Sequence, residues 1–268
     1  MQILKLINTL IENIQRKSYF FHKIYIIFYR QFIKTVTTLL AAKKLKKLCK
    51  NCKSLDDNVN IALSYTYSLF EGSPYKVVLN SLQNKVELQE FIKLVAKNRS
   101  RIIIEIGTHF GGTLFLFSRF GSHDALLISI DLPTWNLKGG YGRLRSFFYR
   151  SFRSKHQKMI FVAQDSHHPS TLKEVKNHLK NKEIDLLFID GDHSYEGVKK
   201  DFETYSPLVK NDGMIAFHDI VVHDQGENCE VNKFWNEIKE KFEYKEIVEN
   251  WYQKHWGIGV IINKKGYK

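Results

Sequence analysis

The chain has 268 residues, 43% hydrophobic and 26% charged, so it can bury a sizeable core without disulfides or metal, and collagen-like and wholly disordered readings are excluded. Its formal net charge is +13, but the first 53 residues hold twelve Lys or Arg against one acid, Glu12, so the excess sits in one arm and the rest is close to neutral.

Taken in chain order, the arm spans residues 1–55. Ile3, Leu6, Ile7, Leu10, Ile11 and Ile14 recur at three- and four-residue steps, the pattern of an amphipathic helix. Residues 19–48 are rich in aromatic and branched side chains and end in Lys43, Lys44, Lys46 and Lys47. Two placements are open: packing on the body or on a second subunit of a homo-oligomer, or peripheral contact with an anionic membrane through residues 1–50. His22, Lys23, Arg30 and Lys34 interrupt the most apolar run, so no spanning helix is expected, and Lys5, Glu12, Arg16 and Lys17 do not suit a signal peptide. Cys49, Cys52 and Cys229 are too few and scattered for a secreted disulfide scaffold, which points to a reducing, cytoplasmic setting. Residues 56–84 read as a linker or helical lead-in.

Residues 85–268 read as an α/β body. Short apolar runs at 102–106, 125–130, 159–163, 184–189 and 214–217 alternate with helical patterns, the signature of a parallel sheet covered on both faces. Ligands of such sheets bind outside the carboxyl ends of the strands. After the first run come Gly107, Thr108, Gly111, Gly112 and Thr113, a turn that lets backbone approach a ligand and opens into a helix with free amides. Its G-x-x-x-G-G spacing is not that of a dinucleotide site. Asp131 ends the second run, where a carboxylate can accept ribose hydroxyls, and Asp165 with Ser166 follows the third, where an acid can meet an adenine amino group. Asp190 ends the fourth. Residues 167–170, with Pro169, read as a helix start, and residues 194–209 as a helix. Residues 135–152, with Gly139, Gly140 and Gly142, read as a surface loop or a mobile lid.

With these residues in hand, the chain resembles the class I S-adenosylmethionine-dependent methyltransferases, in the branch of small-molecule and sugar O-methyltransferases. The likeness rests on Glu105-Ile-Gly-Thr-His-Phe-Gly-Gly-Thr113, Ser129-Ile-Asp-Leu-Pro133, Ile189-Asp-Gly-Asp-His-Ser-Tyr-Glu-Gly-Val198 and Ala216-Phe-His-Asp-Ile220. It implies a Rossmann-like, doubly wound seven-stranded sheet, mostly parallel, whose antiparallel C-terminal hairpin is formed by residues 244–249 and 257–262. It also implies S-adenosyl-L-methionine as cofactor, with Glu105 and Gly107 near its methionine end, Asp131 on the ribose, Asp165 and Ser166 near adenine, and Asp190 at the reaction centre.

Methyl transfer to an alcohol needs the hydroxyl proton removed or its oxygen held by a cation. Metal-dependent relatives place ligands at positions matching Asp190, His218 and Asp219. This chain departs at His218, and imidazole favours manganese over magnesium, so Mg2+, Mn2+, iron and no metal all stay open. Asp192, His193 and His218 are the candidate bases, and His109, His167, His168 and His223 gather at the same strand ends. The expected acceptor is a small molecule or glycan. No nucleic acid is expected, because the charge lies outside the body and Ile189-Asp-Gly-Asp192 replaces the Asn-Pro-Pro-Tyr type motif of base-amino methyltransferases. A binding module that keeps the fold without turnover is the rival reading.

Overall fold

The computed structural model describes residues 2–73, 75–133, 141–224 and 228–264, with side chains of the first helix described at Lys23 and from Ile26 onward. The arm is one helix, α1 (Gln2–Asn51), because neither proline nor glycine interrupts it. The amphipathic face read at Ile3 to Ile14 lies outside the described side chains. Further along, Ile33, Thr37, Ala41, Ala42 and Leu45 are buried, so α1 rests its C-terminal half on the body.

Residues 56–84 hold more structure than a linker. Helix α2 (Leu55–Ser64) starts on a capping box in which Ser54 and Asp57 each accept the other's backbone amide. Strands β1 (Tyr65–Ser68) and β2 (Lys76–Leu79) then pair antiparallel. Four residues are too few for alternation to mark a strand in the sequence. The hairpin anchors α1, since Tyr65 Oη donates to the Ala41 carbonyl at 2.7 Å and Lys44 lies over the Tyr67 ring.

Helix α3 (Lys85–Asn98) leads into β3 (Ile102–Ile106), α4 (Gly112–Phe120), β4 (Leu126–Asp131), α5 (Arg143–Arg150), β5 (Lys158–Ala163), α6 (Pro169–Leu179), β6 (Ile184–Ile189), α7 (Tyr195–Tyr205), β7 (Val209–His218), α8 (Val231–Ile238), β8 (Glu243–Ile247) and β9 (Ile258–Asn263). The sheet order is β5-β4-β3-β6-β7-β9-β8, parallel from β5 to β7, with β9 antiparallel to both β7 and β8. This is the doubly wound α/β sheet with a C-terminal hairpin that the resemblance implies, preceded by an N-terminal helical extension.

Strand alternation sorts the core into two layers. Ile103, Leu127, Leu186 and Phe188 face α1 to α5, whereas Ile104, Ile128, Leu187 and Ile189 face α6 to α8. The chain reverses its direction of travel across the sheet between β3 and β6, which opens a crevice at their carboxyl ends. Strand β7 begins at Val209 instead of 214, because Val209 already pairs with Ile184 and polar Lys210, Asn211 and Asp212 form an irregularity in the register before Met214 pairs with Leu186. Pro207 ends α7 in a 3-10 turn, earlier than the expected 209. Of the lid or loop read at 135–152, residues 135–140 lie outside the described residues, and the remainder carries α5 with Phe148 and Tyr149 buried.

Candidate active site

Five successive strand ends meet in a cavity of about 750 Å3. Gly107 and Thr108 follow β3, Asp131 ends β4, and Asp165, Ser166 and His167 follow β5. Asp190, Asp192 and His193 follow β6, and His218 with Asp219 closes β7.

The β3 and β6 tips touch through backbone. Gly107 has φ +84°, and a Cβ there would stand 1.9 Å from the Asp190 carbonyl oxygen, so only glycine fits. Asp131 is partly fixed by the same turn. Its Oδ2 accepts the amides of Thr108 and His109 at 3.2 and 2.8 Å, and Oδ1 accepts that of Leu132 at 2.7 Å. A carboxylate has about four acceptor directions, so room remains for one more donor from the cavity. Burial pushes its pKa up, against those amides.

Glu105 lies off the cavity wall. Alternation along β3 turns it into the α1 to α5 layer, where it is 1% exposed and accepts from Thr108 Oγ1 at 2.8 Å and Ser129 Oγ at 3.1 Å. Burial raises its pKa to about 8. Tyr141 closes this network by a hydrogen bond to Thr108 Oγ1 at 2.8 Å. Gly111 and Gly112 also lie off the wall: a Cβ on Gly111 would strike the Tyr149 ring, and one on Gly112 the Ser81 amide. These glycines serve close packing of α4 on the hairpin and α5. Thr113 does line the cavity, joined to Asp190 through Gln83, whose Nε2 is 3.3 Å from Thr113 Oγ1 and 3.4 Å from Asp190 Oδ2.

Two carboxylates and two imidazoles interlock at the opposite end. His218 Nδ1 stands 3.2 Å from both Asp190 Oδ1 and Asp219 Oδ2. His193 spans the same pair, Nε2 to Asp190 and Nδ1 to Asp219, each at 3.3 Å. Burial opposes charge on both rings, yet the two carboxylates prevail and raise His193 to about 11 and His218 to about 10. Burial opposes charge on Asp190 and Asp219 too, and the imidazoles prevail there, lowering both. Asp219 has φ +63°, a left-handed conformation shared on the cavity rim by His109 and Trp256.

This cluster suits a divalent cation. Asp190, His218 and Asp219 offer ligand atoms within 4.8 Å of one another, and neither ring nitrogen of buried His218 makes an aligned hydrogen bond. Mixed imidazole and carboxylate donors suit manganese, iron or zinc better than magnesium, which prefers oxygen alone. Asp192 sits at the exposed lip with Oδ1 accepting the Ser194 amide at 2.9 Å, whereas His193 faces the cavity.

Of the strand-end histidines, all but His168 line the cavity, and His168 caps α6 by accepting the Ser170 amide at Nδ1. Sequence reasoning passed over Gln83, Tyr141, Asn228, His255 and Trp256 as site residues. All but Gln83 and Tyr141 line the cavity. The last two sit between β8 and β9, where periodicity carries no signal, and only the excess of histidine hinted at His255.

Residues 104–220 match the family model of a methyltransferase domain. A curated relative, an uncharacterized protein y4gI of Sinorhizobium fredii, is 28% identical over 146 residues, which is 54% of this chain and 16% of the relative's length. The chain thus spans about a sixth of that protein. Solved structures similar to it include an O-methyltransferase from Bacillus cereus in complex with SAH, at 15% identity and TM-score 0.47, over 70% of this chain and 84% of that one. Another is the O-methyltransferase TomG from Streptomyces achromogenes in complex with SAM, at 13% identity and TM-score 0.48, over 67% and 81%. A putative O-methyltransferase from Klebsiella pneumoniae matches at 15% identity and TM-score 0.48, over 87% and 98%. Over residues 104–220, less than half of the chain, the sequence is therefore similar to a methyltransferase domain, and these residues hold β3 to β7 of the sheet described above.

Proposed function

We propose that this protein is an S-adenosylmethionine-dependent O-methyltransferase acting on a hydroxyl of a small molecule or glycan, with a divalent cation assisting. The observation that carries this reading is the single cavity in which Asp131 and Asp165 stand at one end and the Asp190, His193, His218 and Asp219 cluster at the other.

The cofactor supplies a sulfonium methyl group when bound. Asp131 would accept a ribose hydroxyl through its remaining acceptor direction, and Asp165 with Ser166 would meet the adenine edge. Gly107 lets the β3 and β6 tips meet, which brings Asp190 to the cavity, and Glu105 supports the β3 turn from behind through Thr108. Asp190, His218 and Asp219 would hold a cation, which would supply a Lewis acid for the acceptor oxygen. Its two positive charges would replace those of the protons that His193 and His218 set against the carboxylates. Proton removal is assigned to His193, which lies on the cavity wall between the two carboxylates and which a bound cation would leave neutral, whereas Asp192 stands at the exposed lip. Trp256 and His255 form the acceptor side, where an aromatic face suits the apolar face of a sugar or phenolic ring.

Among the described residues no helix is long and apolar enough to cross a membrane.

The test combines calorimetric titration of S-adenosylmethionine with transfer of labelled methyl to nucleotide sugars, glycolipids and polyphenols, with and without Mn2+. Binding that weakens at least tenfold in Asp131→Ala, with label arriving on oxygen, is the expected result. Cofactor binding with no transfer to any acceptor would favour the binding module, and unchanged affinity in Asp131→Ala would remove the ribose assignment.

A further inference from the structure

Helix α1 presents to solvent a face that its own body does not cover. Phe28 is 71% exposed, Phe32 63% and Leu39 49%. At about 100° per residue these three fall within about 60° of Lys43, Lys46 and Lys50, one stripe about 33 Å long opposite the buried Ala41 and Leu45. Between Glu12 and Asp56 the sequence contains no acid.

The same stripe borders a second cavity, of about 500 Å3, distant from the strand tips. Lys46, Lys50, Arg119, His123 and Arg153 line it, no acidic side chain does so among the described residues, and Ser151 Oγ in its wall is buried without a hydrogen bond. Such a lining recognises an anionic oxygen group such as a phosphate.

We infer that the outward face of α1, with this basic pocket, docks the protein on an anionic lipid surface, the aromatic end entering the headgroup boundary and the pocket taking a lipid phosphate. Charge complementarity selects this occupant. A second copy of the chain would bring one acid-free helix against another, and a nucleic acid backbone would leave the aliphatic and aromatic end of the stripe without a partner. A lipid interface satisfies both ends: apolar side chains enter the acyl boundary, while each lysine near the surface attracts anionic headgroups.

The test is flotation of the full chain with vesicles of phosphatidylcholine alone and with roughly a third phosphatidylglycerol. Expected is at least tenfold stronger binding to the anionic vesicles, falling severalfold as salt rises from about 0.1 to about 0.5 M. Phe28→Ser with Phe32→Ser, and separately Lys46→Glu with Lys50→Glu, should each lower binding at least tenfold. Both pairs are surface positions, and unchanged circular dichroism and cofactor affinity would show the fold intact. Equal binding to both vesicle types, or binding undiminished by the Phe pair, would overturn the inference. So would a lipid-free dimer that the Phe pair converts to monomer, or RNA that displaces the protein from vesicles at equal phosphate.

Discussion

Glu87 on α3 accepts the backbone amide of Gly257 at 2.8 Å, across 170 residues of sequence. The same buried carboxylate takes the Glu249 amide at 2.9 Å and Gln253 Nε2 at 2.7 Å, and so ties down the connection between β8 and β9. That connection delivers His255 and Trp256 to the cavity, and Trp256 Nε1 is itself held by the Leu82 carbonyl. Glu87→Ala leaves three donors without their acceptor, and a destabilisation of about 3 kcal/mol is expected. Thermal melting reads the loss. In kinetics the acceptor KM should rise more than the cofactor KM, because the freed segment carries His255 and Trp256, the proposed acceptor side.

Gly107→Ala offers a harsher change at a smaller atom count. The backbone there is left-handed and the new methyl would overlap the Asp190 carbonyl, so β3 and β6 must part at their tips. Destabilisation of at least about 2 kcal/mol is expected, with cofactor affinity lost beyond what the melting temperature explains. A variant that melts and binds like the parent would show that the two strand ends do not meet this closely.

Glu105 gives the protein a pH signature. Its carboxyl is raised to about 8 by burial, whereas in the unfolded chain it titrates near about 4.3. Below the lower value the group is neutral in both states and its contribution is fully present. As pH climbs from about 4.3 to about 8 the unfolded chain sheds the proton first, so folding loses stability through that window, by up to about 5 kcal/mol. Glu105→Gln removes the titration. Melting scans should find the variant gaining on the parent steadily between about pH 5 and about pH 8; a difference independent of pH would mean that the carboxyl is not neutral in the fold.

The proposed cation site makes its own forecast. Titration with Mn2+ followed by electron paramagnetic resonance should give one bound ion, weakened at least tenfold in Asp219→Asn and in His218→Ala. His193 and His218 hold protons that a cation must displace, so affinity should rise with pH. Wild-type binding no tighter than that of Asp219→Asn would discard the site.

Much of this fold is legible in the sequence because buried parallel strands announce themselves as apolar runs ending in acids. The runs ending at Ile106 and Ile189 coincide with β3 and β6 to the residue, and Asp131, Asp190 and Asp219 stand at the tips where their runs stop. Glu105 shows the limit of reading by strand position. Its place near a tip suggested ligand contact, but side-chain alternation turns it into the helix layer, a direction that apolar content on both faces conceals. Gly111 and Gly112 teach the same lesson, since glycine is demanded equally by a ligand and by a neighbouring ring or amide. Gln83 reaches Asp190 from a segment 107 residues earlier, through a hairpin too short to carry a pattern.

Three residues at the mouth of the cavity, His109, Asp219 and Trp256, hold backbone angles that side chains other than glycine seldom accept. Each costs on the order of 1 kcal/mol, a debt the surrounding core must cover. Selection for heat resistance alone would therefore drift toward glycine or asparagine at these places. Hardier descendants would emerge with a slacker mouth, and durability would trade against turnover at three identifiable codons.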